Sequence, residues 1–487
     1  MDTHFPRTAR SRLSRSTRTA AAATAALSLA AAGCSAGSLG SSGGSGGSGG
    51  STATTSGGSG GSASGGTSGG SSGGSSGGGS GGAVNASITF LVDNSPASVQ
   101  PAQALATAFM AGNPGIKISV TTRPGGTDGD NLVKTRLSTG SMPDVFLYNS
   151  GSLFQQISPA RFLQPLPSTL TAKVKPTYYP QVSVNNAIYG VPFGTAFGGG
   201  VLYNRPIFAK LKLSVPKTWA EFIADAQKIK ASGVPPVIQT YGGTDTWTSQ
   251  LLVLGDYHNV AAENPGFAAQ YTVNKAKFAT TPAALAGFEH LQQIHALGLE
   301  NRDYASATNV QGLKDVATGA GAMYPMLSAV VGAIETNNPT DVDNVGFFAI
   351  PGATAATNGL TTWAPAGLYV PTSTKGAKLT AVEQFLASIA TPAGCAIQTK
   401  ANAPTGPYLV DGCTLPATVP QITKDVSAYY TDGKQSPALE FLSPVKGPNL
   451  ENFTVEVGSG IVSAAKGASL YDQDVTKQAQ QLGLKGW

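Results

Sequence analysis

Few side chains in this sequence are spaced for reaction chemistry. Beyond residue 33 the histidines are His258, His290 and His295. His290 and His295 are five apart, so on a helix they do not share a face, and they are read as solvated helix residues. There is no H-E-x-x-H and no cysteine–histidine cluster. Outside the Gly/Ser-rich stretch 35–82 there is no G-x-S-x-G elbow to poise a nucleophile, and there is no G-x-x-x-x-G-K-[ST] loop to cradle phosphates. Asp128-Gly129-Asp130-Asn131 has the start of a calcium loop without its remaining ligands, and is read as a turn. No catalytic residue, metal or cofactor is assigned. A two-carboxylate glycosidase leaves no local motif, because its carboxylates can lie far apart in sequence; it stays open as the enzyme alternative.

What remains is recognition chemistry: aromatic faces and small polar side chains placed directly after apolar runs. Ile88–Val92 and Val145–Leu147 read as buried strands, and Ile116, Ile118 and Val120 alternate as a third. Helices are expected between them at Pro101–Ala111 and around Asn131–Ser138. This β-α-β-α-β order implies a parallel sheet, with helices on its faces. Ligands bind outside the carboxyl ends of such strands. Those ends deliver Asp93, Asn94 and Ser95 from the first strand, and Tyr148, Asn149 and Ser150 from the last.

The stretch Tyr189–Val234 organises the rest. Thr218 and Glu221 form a T-x-x-E capping box ahead of a helix whose buried face is Trp219, Phe222, Ile223, Ala226 and Ile229. Gly233 stops it. Upstream, Val191–Tyr203 is apolar and glycine-rich, which permits close backbone approach.

The N-terminus has its own character. Five arginines precede an alanine-rich run at Ala20–Ala32, too short to span a bilayer permanently. Residues 35–82 are almost entirely Gly, Ser and Thr, a flexible tether with an r.m.s. span of roughly 40 Å. Residues 1–33 carry five Arg and one Asp of the chain's 31 basic and 26 acidic side chains. The remainder is near neutral, which gives no support to nucleic-acid binding. Besides Cys34 there are only Cys395 and Cys413. In an exported chain these are expected to pair, closing an 18-residue loop worth about 3 kcal/mol in the chain-entropy model.

YGVP, an aromatic–glycine segment, LYNRPIF and PKTWAEF together resemble the extracellular solute-binding proteins of ABC importers, family 1, the maltose-binding-like group. NPGIKISV, LSTGSMPDVF, TGAGAMYPM and VGFFAIP followed by WAPAGLYVPTSTK occur in that family's order. The resemblance implies a two-lobed α/β periplasmic-binding-protein-like fold. Lobe 1 would comprise 85–192 and 343–391, lobe 2 would comprise 193–342 and 392–487, and the chain would cross near Pro192–Phe197, Asn338–Asn344 and Thr391–Lys400. It implies a ligand cleft lined by Asp93, Asn94, Tyr148, Asn149, Phe193, Thr195, Tyr241, Asp245, Trp247, Tyr324 and Trp363, with Phe453 on the late helix. Two departures stand out. Ser328 or Ala329 falls where relatives carry a stacking tryptophan, and Thr195 or Ala196 where some carry a carboxylate. Ala31-Ala32-Gly33-Cys34 resembles a lipobox, which implies a signal peptide over 1–33, lipidated Cys34, and a tether over 34–84 ahead of the lobes. The implied role is a lipid-anchored, monomeric, extracytoplasmic binder that captures a small solute, a carbohydrate above all, for the permease subunits of an ABC importer. A sensor subunit presenting its ligand to a membrane receptor is a further alternative.

Overall fold

The computed structural model describes residues 84–487. The expected signal peptide, Cys34 and the tether as far as residue 83 lie outside the described residues. Twelve strands run in chain order: β1 Ala86–Asp93, β2 Ile116–Arg123, β3 Val145–Tyr148, β4 Ser183–Val184, β5 Ala187–Ile188, β6 Val191–Phe193, β7 Phe197–Asn204, β8 Met323–Leu327, β9 Val345–Ala349, β10 Leu360–Trp363, β11 Ala366–Tyr369 and β12 Gln435–Pro437. They form two five-stranded sheets and the small β4–β5 ribbon.

The first sheet has the order β2-β1-β3-β11-β6. β1 is parallel to both β2 and β3, as the β-α-β-α-β pattern requires, while β11 and β6 are added antiparallel. The pleat divides its side chains. Ile88, Phe90, Val145 and Leu147 feed one core layer, and Leu91, Phe146 and Tyr148 the other. Asp144 ties this lobe together. Its carboxylate accepts from the Thr89 N–H (2.8 Å), the Thr89 hydroxyl (3.0 Å) and Lys378 Nζ (3.1 Å), joining β1, β3 and the helix Gly376–Ile389.

The second sheet has the order β12-β10-β7-β8, with β9 also paired to β7. This corrects the expected lobe boundaries. β9 and β10 pair antiparallel with β7, so Val345–Trp363 belongs to lobe 2. The cause is the glycine run of β7. A Cβ at Gly199 would lie 2.5 Å from the Trp363 ring and one at Gly198 would lie 2.8 Å from Leu360, so bare backbone makes room for β10. The second crossing is therefore the short link from Trp363 to Ala366 rather than Asn338–Asn344. The third also falls later. The helix Pro392–Ala401 packs on the helix Pro96–Gly112, and Cys395, Tyr408 and Val410 join the lobe 1 core. Only the helix Gln421–Thr431, seated against β9, returns to lobe 2.

The helix Trp219–Ala231 begins with the expected capping box: the Glu221 N–H donates to Thr218 Oγ1, and Glu221 accepts from the Thr218 N–H. Trp219 stacks on His290 at 3.6 Å, and its indole N–H donates to Gln293. His290 is thus buried rather than solvated, and burial lowers its pKa to about 3. Val237 makes isolated parallel bridges to Glu300 and Met323.

Candidate functional site

The segment that follows β3 in lobe 1 meets lobe 2 and the crossing between the lobes. Gly151, just past β3, has φ +72°, and a Cβ there would come within 2.3 Å of Phe441 of lobe 2. Ser150 Oγ and Tyr178 Oη both donate to the carbonyl of Pro365, in the Trp363–Ala366 crossing, at 3.0 and 3.2 Å. Both the backbone conformation and the space available at position 151 therefore exclude a side chain.

On the lobe 1 side, Asp93 is partly buried and accepts from the Ser95 N–H (2.9 Å) and the Ser98 hydroxyl (2.5 Å), so it holds the first turn of the helix Pro96–Gly112. Asn94 and Asn149 are exposed, and the Asn149 carbonyl accepts from Tyr369. Tyr148 points the other way. It is only 1% exposed, under the Arg123 guanidinium at 5.6 Å. Its hydroxyl has no hydrogen-bond partner; it feels the Asp130 carboxyl without completing a bond to it. Burial, and then that carboxyl, push the phenol's pKa well up, while burial raises Asp130 against the pull of Arg123. Phe193 is buried edge-on to Phe90.

On the lobe 2 side, Trp247 is half-buried on the 3-10 turn Asp245–Gln250, which packs against the helix Leu450–Gly458. Asp245 accepts from the Asn309 N–H at 2.8 Å and so caps the helix Asn309–Thr318. Tyr324 is 1% exposed, its hydroxyl bonded to Thr240 (2.6 Å) and Asn309 (3.0 Å). Tyr241 is buried with an unpartnered hydroxyl. Trp363 is 4% exposed; its indole N–H donates to Glu440 and its ring stacks on Phe197 at 6.0 Å. Phe453 is partly buried, packed against the larger lobe 2 core. Thr195 sits in the first crossing, bonded to Thr405 at 3.0 Å.

The expected residues therefore divide. Asp93, Asn94, Asn149, Thr195, Asp245 and Trp247 keep exposed or half-buried side chains. Tyr148, Phe193, Tyr241, Tyr324 and Trp363 lie beneath the surface in this conformation, their rings required by the lobe cores.

Sequence reasoning missed Arg123, Glu440, Phe441 and Lys446. Arg123 was legible: it ends β2 in register with Asp93 at the end of β1. It is 6% exposed, its Nε has no partner, and Gly129 is bare because a Cβ there would lie 2.4 Å from Nη1. The Asp128–Asn131 segment is thus the opening of a helix, Gly126–Thr139, rather than a turn. Glu440, with Lys446 at 3.8 Å, and Phe441 arrive from the distant C-terminal segment without local pattern. Among the described residues, no group of three or more His, Cys, Asp or Glu could hold a metal ion.

A cavity of about 200 Å³ has walls from both lobes, including Gln181, Leu409, Thr362 and Tyr430. A second hollow, about 450 Å³, is lined by Leu415, Pro416, Val419 and the helix Gln421–Thr431, and neither space includes the β1–β3 ends or any of the expected ligand residues.

Comparison with known proteins agrees with this architecture. A Streptococcus mutans multiple sugar-binding protein is 28% identical over 291 residues, 57% of this chain and 65% of that relative, so the match spans just under two thirds of its length. A Bacillus subtilis binding protein in an open conformation superposes with TM-score 0.69 at 18% identity, covering 82% of this chain and 99% of that one. The raffinose complex of the binding protein RafE gives TM-score 0.64 at 19% identity, over 82% and 100%. The model of the bacterial extracellular solute-binding protein family matches residues 93–394, more than half of the chain and most of both lobes. The chain belongs to that family.

Proposed function

We propose that this protein captures a carbohydrate between its two lobes, outside the cytoplasm, and hands it to the permease of an ABC importer. Family membership carries the extracytoplasmic binding role. The cleft composition favours a neutral sugar: exposed Asn94 and Asn149 and half-buried Trp247 offer hydroxyl-bonding groups and one aromatic face. A relative named for multiple sugars and a similar fold solved with raffinose point the same way. Binding closes the lobes by hinge motion about the three crossings. The protein acts as a binder, not an enzyme, and as a monomer. Cys34 is the lipidated first residue of the mature chain, and the Gly/Ser segment is its tether to the membrane.

The test is a thermal-shift screen of raffinose, stachyose, chitin oligosaccharides and monosaccharides. A sugar held at 100 times its Kd adds about 2.7 kcal/mol to native stability. The expected result is a rise for one sugar class, followed by saturable calorimetric binding without cleavage products. No rise for any sugar overturns the ligand class, and cleavage of the bound sugar overturns the binding-only role. Mass spectrometry of the N-terminal peptide should show an acylated Cys34; an unmodified terminus elsewhere removes the anchor.

A further inference from the structure

We infer that the loop closed by Cys395 and Cys413 is a hinge bracket, and that its disulfide governs how freely the lobes open. The two sulfurs are bonded across 18 residues. Both ends of the loop are rooted in lobe 1. The helix Pro392–Ala401 packs on the helix Pro96–Gly112, and further on the Lys175 N–H donates to the Leu409 carbonyl (3.0 Å) and the Asp411 N–H to that of Lys173 (2.8 Å).

Between these roots, residues 402–407 reach across to the moving parts. The first crossing is held along its length. The Gly194 N–H donates to Gln398 Oε1 (2.8 Å), the Thr405 N–H to Thr195 Oγ1 (3.0 Å), and the Ala196 N–H to the Pro407 carbonyl (3.0 Å). Lobe 2 is held as well. Ser328 Oγ donates to the Thr405 carbonyl (2.9 Å) while accepting from the Gly198 N–H (2.9 Å), and Thr423 Oγ1 donates to the Pro404 carbonyl (2.9 Å). The fit is tight: a Cβ at Gly406 would lie 2.4 Å from the Ala196 carbonyl oxygen.

One short arm, fixed to lobe 1, thus carries the first crossing and two contacts to lobe 2. Any rotation of lobe 2 must bend the arm or break those bonds. Cross-linking the arm's ends restricts the conformations it can reach. The bonded state therefore stiffens the hinge, and reduction loosens it without touching the cleft. In an extracytoplasmic protein this couples the opening equilibrium to the thiol–disulfide poise of the surroundings.

The inference rests on lobe closure as proposed above, and its test uses no sugar, so the two readings fail separately. Hydrogen exchange is measured on the full-length protein and on the Cys395→Ser/Cys413→Ser double variant. The amides of Gly194, Ala196, Gly198 and Thr405 should exchange at least tenfold faster in the variant, with β1 and residues 201–203 of β7 within twofold of wild type. Faster exchange confined to 402–413, or an equal rise across both lobes, overturns the coupling. Should the double variant not fold, Thr423→Val, with the disulfide intact, should still speed exchange at Ala196 and Thr405 at least threefold; no change there overturns the bracket.

Discussion

The hydroxyl of Tyr148 offers a sharp test of how lobe 1 is built. The ring is 1% exposed at the carboxyl end of β3, packed among Leu91, Phe154 and Tyr178. Tyr148→Ala should therefore cost about 3–5 kcal/mol of stability whatever the ligand. Tyr148→Phe isolates the oxygen. That oxygen is buried without a hydrogen bond. An unsatisfied buried polar group costs about 1–3 kcal/mol, so removing it should leave stability unchanged or raise it by up to that amount. The Arg123 guanidinium keeps its ring. If closure brings a sugar hydroxyl or a bridging water to this oxygen, the lost bond is about 0.5–1.5 kcal/mol, or roughly two- to tenfold in Kd. Urea unfolding of both variants, and calorimetry with the tightest sugar of the panel, give the two numbers. A Tyr148→Phe protein destabilised by more than about 1 kcal/mol, with Kd unchanged, would mean that the hydroxyl was structurally bonded, to Asp130 above all. The reasoning from an unsatisfied group would then be refuted.

Three further outcomes are expected. Trp247→Ala should weaken sugar binding at least tenfold, about 1.4 kcal/mol, with little change in apo melting, because the ring is only half-buried; the same calorimetry and melting curves decide it. Asp144→Ala should cost about 2–3 kcal/mol in urea unfolding, chiefly through the orphaned Thr89 N–H, since Lys378 is 52% exposed and can rehydrate. His290 has a folded pKa lowered from 6.5 to about 3, so its contribution is fully present above 6.5 and lost as pH falls towards 3; His290→Phe should flatten that acid limb by up to about 1.4 kcal/mol per pH unit in pH-dependent denaturation.

What was legible in the sequence was local. The capping box at Thr218 needs only residues three apart, and the parallel trio β1–β3 needs only alternation and helical spacing between runs. The lobe boundaries were misplaced because they depend on strand partners far along the chain. Val345–Ala349 is as apolar as a lobe 1 strand would be, and only its pairing with Gly200–Asn204 of β7, some 150 residues earlier, places it in the lobe 2 sheet. The same limit explains the aromatics. Tyr324 was placed in the cleft by the resemblance of its segment, yet its hydroxyl belongs to Thr240 and Asn309. Periodicity shows that a ring is at a strand end; it does not show which neighbour claims the ring.

Those claims also bear on how a sugar could be selected. With Trp363 stacked on Phe197 and bonded to Glu440, its face and its N–H are both committed. Tyr324 is likewise spent. On the proposed function, selection would then fall to Trp247, to the short polar groups on the β1 and β3 ends, and to the C-terminal segment carrying Glu440, Phe441 and Lys446. Phe441 already rests on Gly151, the position that tolerates no side chain. A ligand wide enough to part that contact must supply equal apolar cover in its place, which favours sugars presenting a flat apolar face there. A ligand narrow enough to leave it intact would be bound with the lobes latched at one end, and only the groups deeper in the cleft could discriminate. Substituting Phe441 by Ala separates these cases, because it removes cover in the first and only the latch in the second.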